Sequence, residues 1–266
     1  MASAAFNQII GNPAETALRL WGKIREAPER RQPQCHYDLT DNWSGRLGSE
    51  LDAEAMEQER SIWRDIEERL RAINVDVGPA SYGGHNDGDP AFIHTLLRLL
   101  VQPRVTIIET GVAHGVTSRF VLEHIKGSDS HLWSIDLPPP TLPHLQDEIG
   151  VAVPATLRGQ WTLIRGSSRR HLPALLRRVE QVDLFIHDSW HSQYNMLFEM
   201  RAIYPRLRSG GAMLIDDIDL NGAFLTMARE VSTNDTVIVV PHAPVRADPL
   251  REQRRLRGLF GVIIKA

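Results

Sequence analysis

The chain has 266 residues, of which 42% are hydrophobic and 24% charged, and its formal net charge is −3. This composition is that of an ordinary globular protein, and the charge gives no general attraction to nucleic acid or to an anionic membrane. The single cysteine, Cys35, excludes an internal disulfide. Because no basic start precedes an apolar run and no apolar segment approaches the ~20 residues of a membrane helix, we expect a cytoplasmic protein without a signal peptide.

Residues 1–88 lack the strand pattern of the rest of the chain, and we interpret them as a helical extension. Asn12-Pro13 is typical of a helix start, after which Ala17, Trp21 and Ile24 share one face. A second helix is predicted from about 49 to 73, with its apolar stripe formed by Met56, Trp63, Ile66, Leu70 and Ile73. Two interpretations stay open: the extension covers the core or a dimer interface, or it forms a lid over a substrate.

Residues 89–266 alternate between helices and strands and form the predicted main domain. After a helix over 89–100, we predict strands at 105–110, 131–136, 161–165, 182–187, 211–216, 236–240 and 259–265. The intervening helices are predicted at 117–126, 141–149, 168–179, 192–207 and 221–232. Nearly continuous apolar strands separated by helices indicate an α/β fold with a parallel sheet covered on both faces. We expect a Rossmann-like, seven-stranded, mostly parallel sheet whose last strand, after a long return, is antiparallel.

A glycine-containing turn follows the first of these strands. The apolar run ends at Glu109, Gly111 and Gly115 follow, and Thr117 lies where a helical pattern begins. A buried strand that turns through glycine into a helix forms a shallow cup of backbone N–H groups. The acid beside this cup disfavours phosphate, and the spacing is not the Gly-x-Gly-x-x-Gly of dinucleotide-binding proteins.

Carboxylates end three later strands. Asp136 ends the second strand, where a carboxylate can accept hydrogen bonds from both hydroxyls of a ribose, as nicotinamide enzymes also arrange it. Asp188 follows the fourth strand, and Asp216 and Asp217 follow the fifth. Three carboxylates at one edge of a sheet repel one another unless a cation lies between them. Oxygen ligands of this kind predict a magnesium site, although single acids could instead cap the following helices.

These segments together resemble the class I methyltransferases that use S-adenosylmethionine, over roughly residues 80–266. The turn from Glu109 to Thr117 resembles the family's first motif, which faces the methionine end and the sulfonium of the cofactor. Ser167, after the third strand, resembles the position at the adenine edge. The resemblance therefore implies a cofactor site formed by Glu109, Gly111, Gly115, Thr117, Asp136 and Ser167.

The acidic pattern is similar to that of the metal-dependent O-methyltransferases of the catechol and macrocin types. This resemblance implies that Asp188, Asp216 and Asp217 bind Mg²⁺. His191 occupies the place of the lysine that takes the substrate's proton in catechol enzymes. Trp190 occupies the place of the acid that does so in the sugar-modifying branch. A histidine with a pKa near ~6.5 can accept a proton at cytosolic pH, so we predict His191 as the catalytic base.

The sequence thus predicts a Mg²⁺-assisted O-methyltransferase acting on a hydroxyl of a small molecule, such as a sugar moiety or a polyhydroxylated natural product. We expect no nucleic acid or membrane partner, and a homodimer through the N-terminal helices. Two alternatives stay open. One is a nicotinamide-dependent oxidoreductase on a Rossmann sheet, and the other is a catalytically silent binding protein of the same fold.

Overall fold

The computed structural model describes residues 13–28, 35–40, 53–75, 93–94, 96–98, 103–137, 145–241 and 258–266. These residues form one seven-stranded sheet. Its strands are β1 (Thr106–Thr110), β2 (His131–Asp136), β3 (Trp161–Arg165), β4 (Val182–His187), β5 (Leu207–Ile215), β6 (Thr236–Pro241) and β7 (Leu259–Ile264). The strand order is β3-β2-β1-β4-β5-β7-β6.

The sheet has its topological switch at β1. This strand is parallel to both neighbours, and Glu109 lies opposite Ser134 on β2 and Ile186 on β4. The chain runs outward from β1 to β3 and then returns to β4 on the other side, which leaves a crevice at the carboxyl ends of β1 and β4. β7 is antiparallel to both β5 and β6, as predicted. The expected fold class is therefore confirmed.

Both faces of the sheet are buried under helices. Ile107 and Leu184 lie in one apolar cluster, and their neighbours Ile108 and Phe185 lie in the cluster on the opposite face. This alternation follows from the two-residue period of a strand and explains why the strands read as continuous apolar runs. The helices are α1 (Pro13–Glu26), α2 (Ala53–Ala72), α3 (Val116–Ile125), α4 (Leu145–Glu148), α5 (Ser168–Leu175), α6 (Gln193–Ile203) and α7 (Ala223–Glu230).

The second N-terminal helix, α2, packs against α3. Ile66 and Leu70 are fully buried with Phe120 of α3, and the rings of Trp63 and Phe120 stack with their centroids 6.3 Å apart. The predicted apolar stripe is confirmed at these positions. Ile73 departs from it: the helix ends at Ala72, so Ile73 lies in the following turn and is 49% exposed.

The first N-terminal helix, α1, has its polar side turned inward. Glu15, Gly22 and Glu26 are its buried residues, whereas Trp21 and Ile24 are exposed. The apolar face predicted from the spacing therefore exists but points outward. The reason is that α1 lies on backbone and hydroxyl groups at the ends of strands, which carboxylates and guanidinium groups can bond and apolar side chains cannot.

Some expectations fall outside the described residues. They include Trp43, the connection from β6 to β7 over 242–257, and residues 141–144 of the helix predicted at 141–149. Of the helix predicted over 89–100, residues 93–94 and 96–98 are helical, and Leu96 is fully buried. Within the described part of the chain, no helix is long and apolar enough to cross a membrane.

Candidate active site

The glycine turn after β1 packs directly on the end of β4. Gly111 has a φ of +86°, and a Cβ placed on it would lie 1.8 Å from the carbonyl oxygen of Asp188. Its N–H donates to the Ile135 carbonyl over 3.0 Å. Only glycine combines this left-handed conformation with so close an approach of two backbones. The turn and the first of the predicted metal ligands are therefore in contact.

The same turn continues through a strained residue into α3. Ala113 and Gly115 both have positive φ, at 46° and 87°, and a Cβ on Gly115 would lie 2.8 Å from the Cα of Gly150. α3 begins at Val116, and Thr117 is buried in its first turn. A non-glycine residue held in this backbone region marks a conformation that the surrounding structure enforces. The helix start adds N–H groups, as the sequence predicted.

Asp136 is bonded to the glycine turn. Its Oδ2 accepts a hydrogen bond from the Ala113 N–H over 2.9 Å. Burial raises the pKa of Asp136, and hydrogen bonds from the backbone N–H groups of Ala113, Leu137 and Val112 act in the opposite direction. The last residue of β2 thus fixes the strained turn and lies at the edge where a ribose would be recognised.

Glu109 lies beneath the cup and not on its open surface. Its side chain is fully buried, and Oε2 accepts hydrogen bonds from the hydroxyls of Ser118 and Ser134, each over 2.6 Å. Ser134 Oγ in turn accepts from the indole N–H of Trp161. Burial raises the pKa of Glu109 to about 7, which the two serine hydroxyls partly oppose. Glu109 therefore supports the turn from below, through the hydroxyl groups of Ser118 and Ser134.

Ser167 immediately precedes α5, at the end of β3. Its backbone N–H donates to Glu15 Oε1 of α1 over 3.1 Å, and its buried hydroxyl has no partner among the described residues. Ser167 thus lies after the carboxyl end of β3, where the N-terminal extension covers it.

α1 crosses the carboxyl edge of the sheet. Besides Glu15, Arg19 reaches the carbonyl of Leu137 after β2, over 3.4 Å. Glu26 Oε1 accepts from the Ser192 hydroxyl, beyond β4, over 2.8 Å. One helix therefore contacts the segments that follow β2, β3 and β4. This placement favours the lid interpretation of α1, while α2 covers α3.

Two carboxylates and one imidazole converge beside the glycine turn. Asp188 and Asp216 follow adjacent strands, and each extends the sheet bonding: the Asp188 N–H donates to Thr110 and the Asp216 N–H to His187. Possible ligand atoms of Asp188, His191 and Asp216 all lie within 4.8 Å of one another. Burial raises the pKa of Asp188 well above its ordinary value, and the charges of Asp216 and Asp217 raise it further. A cation at this point would relieve that repulsion.

The third predicted ligand, Asp217, occupies a different position. It has a φ of 48°, and its N–H donates to Asp216 Oδ1 over 2.8 Å. Its carboxylate is near enough to raise the pKa of Asp188 but is not in the convergent group. His191, whose Nε2 is 3.7 Å from Asp188 Oδ1, takes the third place. Among the described residues, the cluster thus has one nitrogen and two carboxylate ligands.

A buried hydrogen-bond centre beneath Asp188 was not foreseen. Glu199 of α6 is fully buried and accepts from the Thr110, Ser189 and Asn195 side chains, over 2.6, 2.9 and 2.8 Å. His187 contacts the same carboxylate. Burial opposes ionisation, but the charge and hydrogen bond of His187, with the hydroxyl groups of Ser168 and Thr110, prevail and hold the pKa of Glu199 at about 2. The sequence carried a signal for it, because Glu199 lies on the helical stripe of buried methionines and isoleucine: Met196, Met200 and Ile203.

The strand order, the antiparallel β7 and the glycine turn define the class I methyltransferase fold, the fold of enzymes that use S-adenosylmethionine. Residues 108–218, which contain both the turn and the acidic cluster, match the family described as "Methyltransferase domain". This match agrees with the class of protein that the sequence resemblance implied. No match was found among curated proteins.

Solved structures agree with this fold. A Klebsiella pneumoniae protein provisionally assigned as an O-methyltransferase has a TM-score of 0.56 at 16% identity. The O-methyltransferase of Bacillus cereus in complex with SAH gives 0.54 at 12%. TomG of Streptomyces achromogenes, an O-methyltransferase involved in tomaymycin synthesis and solved with SAM, gives 0.52 at 15%. Each alignment covers 85% of this chain and 96% of the other.

Proposed function

We propose that the protein is an S-adenosylmethionine-dependent O-methyltransferase that uses a divalent cation, most simply Mg²⁺, and acts on a hydroxyl of a small molecule. One observation carries this proposal: Gly111 packs on the carbonyl of Asp188. A cofactor held by the glycine turn would therefore lie next to the group formed by Asp188, His191 and Asp216. Methyl transfer is an in-line displacement, so this proximity supplies the alignment that the reaction needs.

The residues around the turn fit the cofactor. S-adenosylmethionine supplies the methyl group as an electrophile on sulfur. The strained backbone at Gly111, Ala113 and Gly115 presents the N-terminal N–H groups of α3, and Asp136 lies at the end of β2 to accept ribose hydroxyls. Glu109 fixes the turn from beneath through Ser118.

The acidic cluster fits a hard divalent cation. Asp188 and Asp216 supply oxygen ligands, and Asp217 or His191 supplies the third. Such a cation acidifies and orients a bound hydroxyl. When Asp217 completes the ligand set, His191 Nε2, close to Asp188, would take the hydroxyl proton.

The carboxyl edge of the sheet also supports a proposal for the class of substrate. Cation-assisted chemistry favours adjacent oxygens, as in a sugar diol or another polyhydroxylated natural product. Trp190, which lies between Asp188 and His191 in the sequence, is 54% exposed and offers a flat apolar surface to solvent. Such a surface suits the apolar face of a sugar ring or of an aglycone. Replacing Trp190 with alanine would then raise KM more than it lowers kcat.

Calorimetric titration tests the proposal directly. S-adenosylmethionine, NAD⁺ and NADP⁺ are each titrated into the protein, with and without Mg²⁺. Micromolar binding of S-adenosylmethionine alone supports the methyltransferase proposal. Nicotinamide binding alone would favour the oxidoreductase alternative, and no binding of any of them would favour a silent binding protein. Full turnover in EDTA would remove the cation from the proposal and leave methyl transfer in place.

We further propose a cytoplasmic homodimer that uses the outward face of α1. Leu20, Trp21 and Ile24 are 59%, 50% and 65% exposed on this face. A contiguous apolar surface of this kind is typical of a contact with another protein. Light scattering on the wild type and on a Trp21→Ser/Ile24→Ser variant tests it: equal monomer masses for both would contradict it.

A further inference from the structure

A second group of metal-ligand side chains lies where α2 meets α3. Glu59 of α2, His94 of the helical residues 93–94 and His124 of α3 bring one ligand atom each to a common point. Glu59 Oε1 is 2.6 Å from His94 Nδ1 and 3.0 Å from His124 Nε2. The two imidazole nitrogens also contact each other. Three segments far apart in sequence thus converge on a single point.

This group is buried, unlike the exposed acid pairs of the surface. The side chains of Glu59, His94 and His124 are 3%, 7% and 12% exposed. Glu59 lies on the same stripe of α2 as the fully buried Ile66 and Leu70. Burying a carboxylate among apolar residues costs free energy unless a positive partner compensates it. The second oxygen, Glu59 Oε2, is also buried and has no hydrogen-bond partner among the described residues.

The tautomer of His124 directs a lone pair toward Glu59. His124 Nδ1 is 2.7 Å from the Phe120 carbonyl, which can only accept, so Nδ1 carries a proton. In neutral His124, Nε2 is then a bare lone pair that faces His94 Nδ1 and a carboxylate oxygen. A metal-binding histidine is usually oriented in this way: the ring nitrogen that does not bind the metal donates its N–H to a carbonyl or carboxylate.

A proton alone satisfies this arrangement poorly. If His124 is protonated at Nε2, it can donate that proton to Glu59. The same proton cannot also satisfy His94 Nδ1, which contacts the same nitrogen of His124. A divalent cation instead accepts all three lone pairs at once and can also use Glu59 Oε2. For tetrahedral zinc with ligands at about 2.0–2.2 Å, the ligand atoms lie roughly 3.3 Å apart, so small rotations of these side chains suffice.

The location indicates a structural and not a catalytic role. Gly115, at the cofactor edge, and His124 lie nine residues apart on α3, or roughly 13 Å at the rise of a helix. Around the group, α2 and α3 are joined by the Arg119–Asp65 ion pair at 2.9 Å and the stack of Trp63 on Phe120. A cation here would fasten the N-terminal extension to the methyltransferase domain.

We propose that Glu59, His94 and His124 form a structural site for a transition-metal ion, with Zn²⁺ as the best match to two imidazoles and one carboxylate. Neutral imidazole suits Zn²⁺ far better than Mg²⁺. This site and the acidic cluster at Asp188 and Asp216 would therefore hold different metals. This inference is independent of the proposed methyl transfer.

The test uses the full chain carrying Asp188→Asn and Asp216→Asn, so that the cluster at the sheet edge no longer competes. The protein is stripped with chelator, dialysed against Zn²⁺ and analysed for bound metal, and Co²⁺ is added to a second sample for its absorption spectrum. We expect one equivalent of Zn²⁺, a four- or five-coordinate Co²⁺ spectrum and a higher Tm with metal. Absence of bound metal in this variant would overturn the proposal.

Substitutions then locate the ion. Adding Glu59→Gln or His124→Gln is expected to weaken Zn²⁺ binding by at least about 100-fold, since losing an outer-shell partner alone costs about 10–100-fold. His131→Gln, on β2, is the matched control and should bind one equivalent. Equal binding in all variants would place the metal elsewhere and contradict the assignment. If a ligand variant does not fold, the Co²⁺ spectrum of the parent decides, because a six-oxygen spectrum would exclude imidazole ligands.

Discussion

His187 Nδ1 lies 2.6 Å from Glu199 Oε2, and both side chains are fully buried beneath Asp188. His187 immediately precedes Asp188, and Ser189, which follows it, donates to the other Glu199 oxygen. Glu199 of α6 therefore binds the side chains of both residues that flank Asp188, the first proposed metal ligand. Such an arrangement fixes where Asp188 points before any ligand binds.

Glu199→Gln is expected to lower the free energy of unfolding by about 3–5 kcal/mol, because it leaves a buried imidazole without its charged partner. Urea denaturation measures the change. Glu230→Gln is the control: Glu230 pairs with Arg201 on the surface, and exposed pairs contribute only about 0.2–1 kcal/mol. Similar losses in the two variants would mean that Glu199 is not the buried hydrogen-bond centre described above.

Gly111→Ala should abolish cofactor binding and destabilise the fold. The added Cβ would meet the Asp188 carbonyl at 1.8 Å, in addition to the cost of a left-handed alanine. Gly127→Ala isolates the second effect, since Gly127 has a φ of +78° with nothing within 4 Å of a new Cβ. The control should lose only about 1–2 kcal/mol, and calorimetry should show normal binding of S-adenosylmethionine. Equal behaviour of the two variants would argue against close packing of the turn on β4.

The raised pKa of Glu109 predicts that the free energy of unfolding of the chelator-treated protein falls as the pH rises. Its pKa rises from 4.5 in an ordinary carboxyl to about 7 in the fold. Below pH 4.5, Glu109 is protonated in both the folded and the unfolded state, so its ionisation does not change the free energy of unfolding. Between these values the unfolded state loses its proton first, so stability falls, and above pH 7 the full cost of about 3 kcal/mol is reached.

Glu109→Gln removes this ionisation. The difference in unfolding free energy between variant and wild type should therefore grow by about 3 kcal/mol in favour of the variant from pH 4.5 to pH 8. Guanidinium denaturation at several pH values measures it. A difference that stays constant with pH would show that Glu109 keeps an ordinary pKa.

His191→Ala is expected to reduce kcat by ~10²–10⁴-fold while S-adenosylmethionine still binds. The affinity for Mg²⁺, measured separately, distinguishes the two roles open to this residue. If His191 is only a base, its loss leaves the affinity for Mg²⁺ unchanged. If it is a ligand, its loss lowers this affinity, as Asp216→Asn does. Asp217→Asn is the companion variant, and it should weaken Mg²⁺ binding only if Asp217 replaces His191 in the ligand set. Near-wild-type turnover of His191→Ala would exclude the residue from both roles.

The sequence predicted the sheet well because its strands are buried on both faces. Six of the seven, those predicted at 105–110, 131–136, 161–165, 182–187, 236–240 and 259–265, agree with the structure within one residue. β5 begins at Leu207 and not at 211, because Leu207 pairs with Val182 before a bulge and the backbone of Gly210 and Gly211 is hydrogen-bonded to Lys265. Local polarity concealed a pairing that only the neighbouring strands impose.

The site residues that lie at the ends of strands could be predicted. Those on helices could not, because the sequence does not show which polar side chains of a helix point inward. The positions of Asp136, Asp188 and Asp216 follow from the rule that parallel strands end at one edge. Glu59 and Glu199 were missed although each is an acid on an apolar stripe. Periodicity also found the two faces of α1 without showing which one points inward, since that depends on the polar strand ends beneath it.

The inward polar face of α1 has a consequence for its local stability. The described contacts at Glu15, Arg19 and Glu26 that hold it on the domain are hydrogen bonds and ion pairs, and its large apolar side chains point away from its own domain. Detachment would therefore uncover little hydrophobic area, and water could replace each lost bond. Amide hydrogens of α1 should exchange far earlier than those of β1 and β4, and the carboxyl edge would open and close while the sheet stays intact.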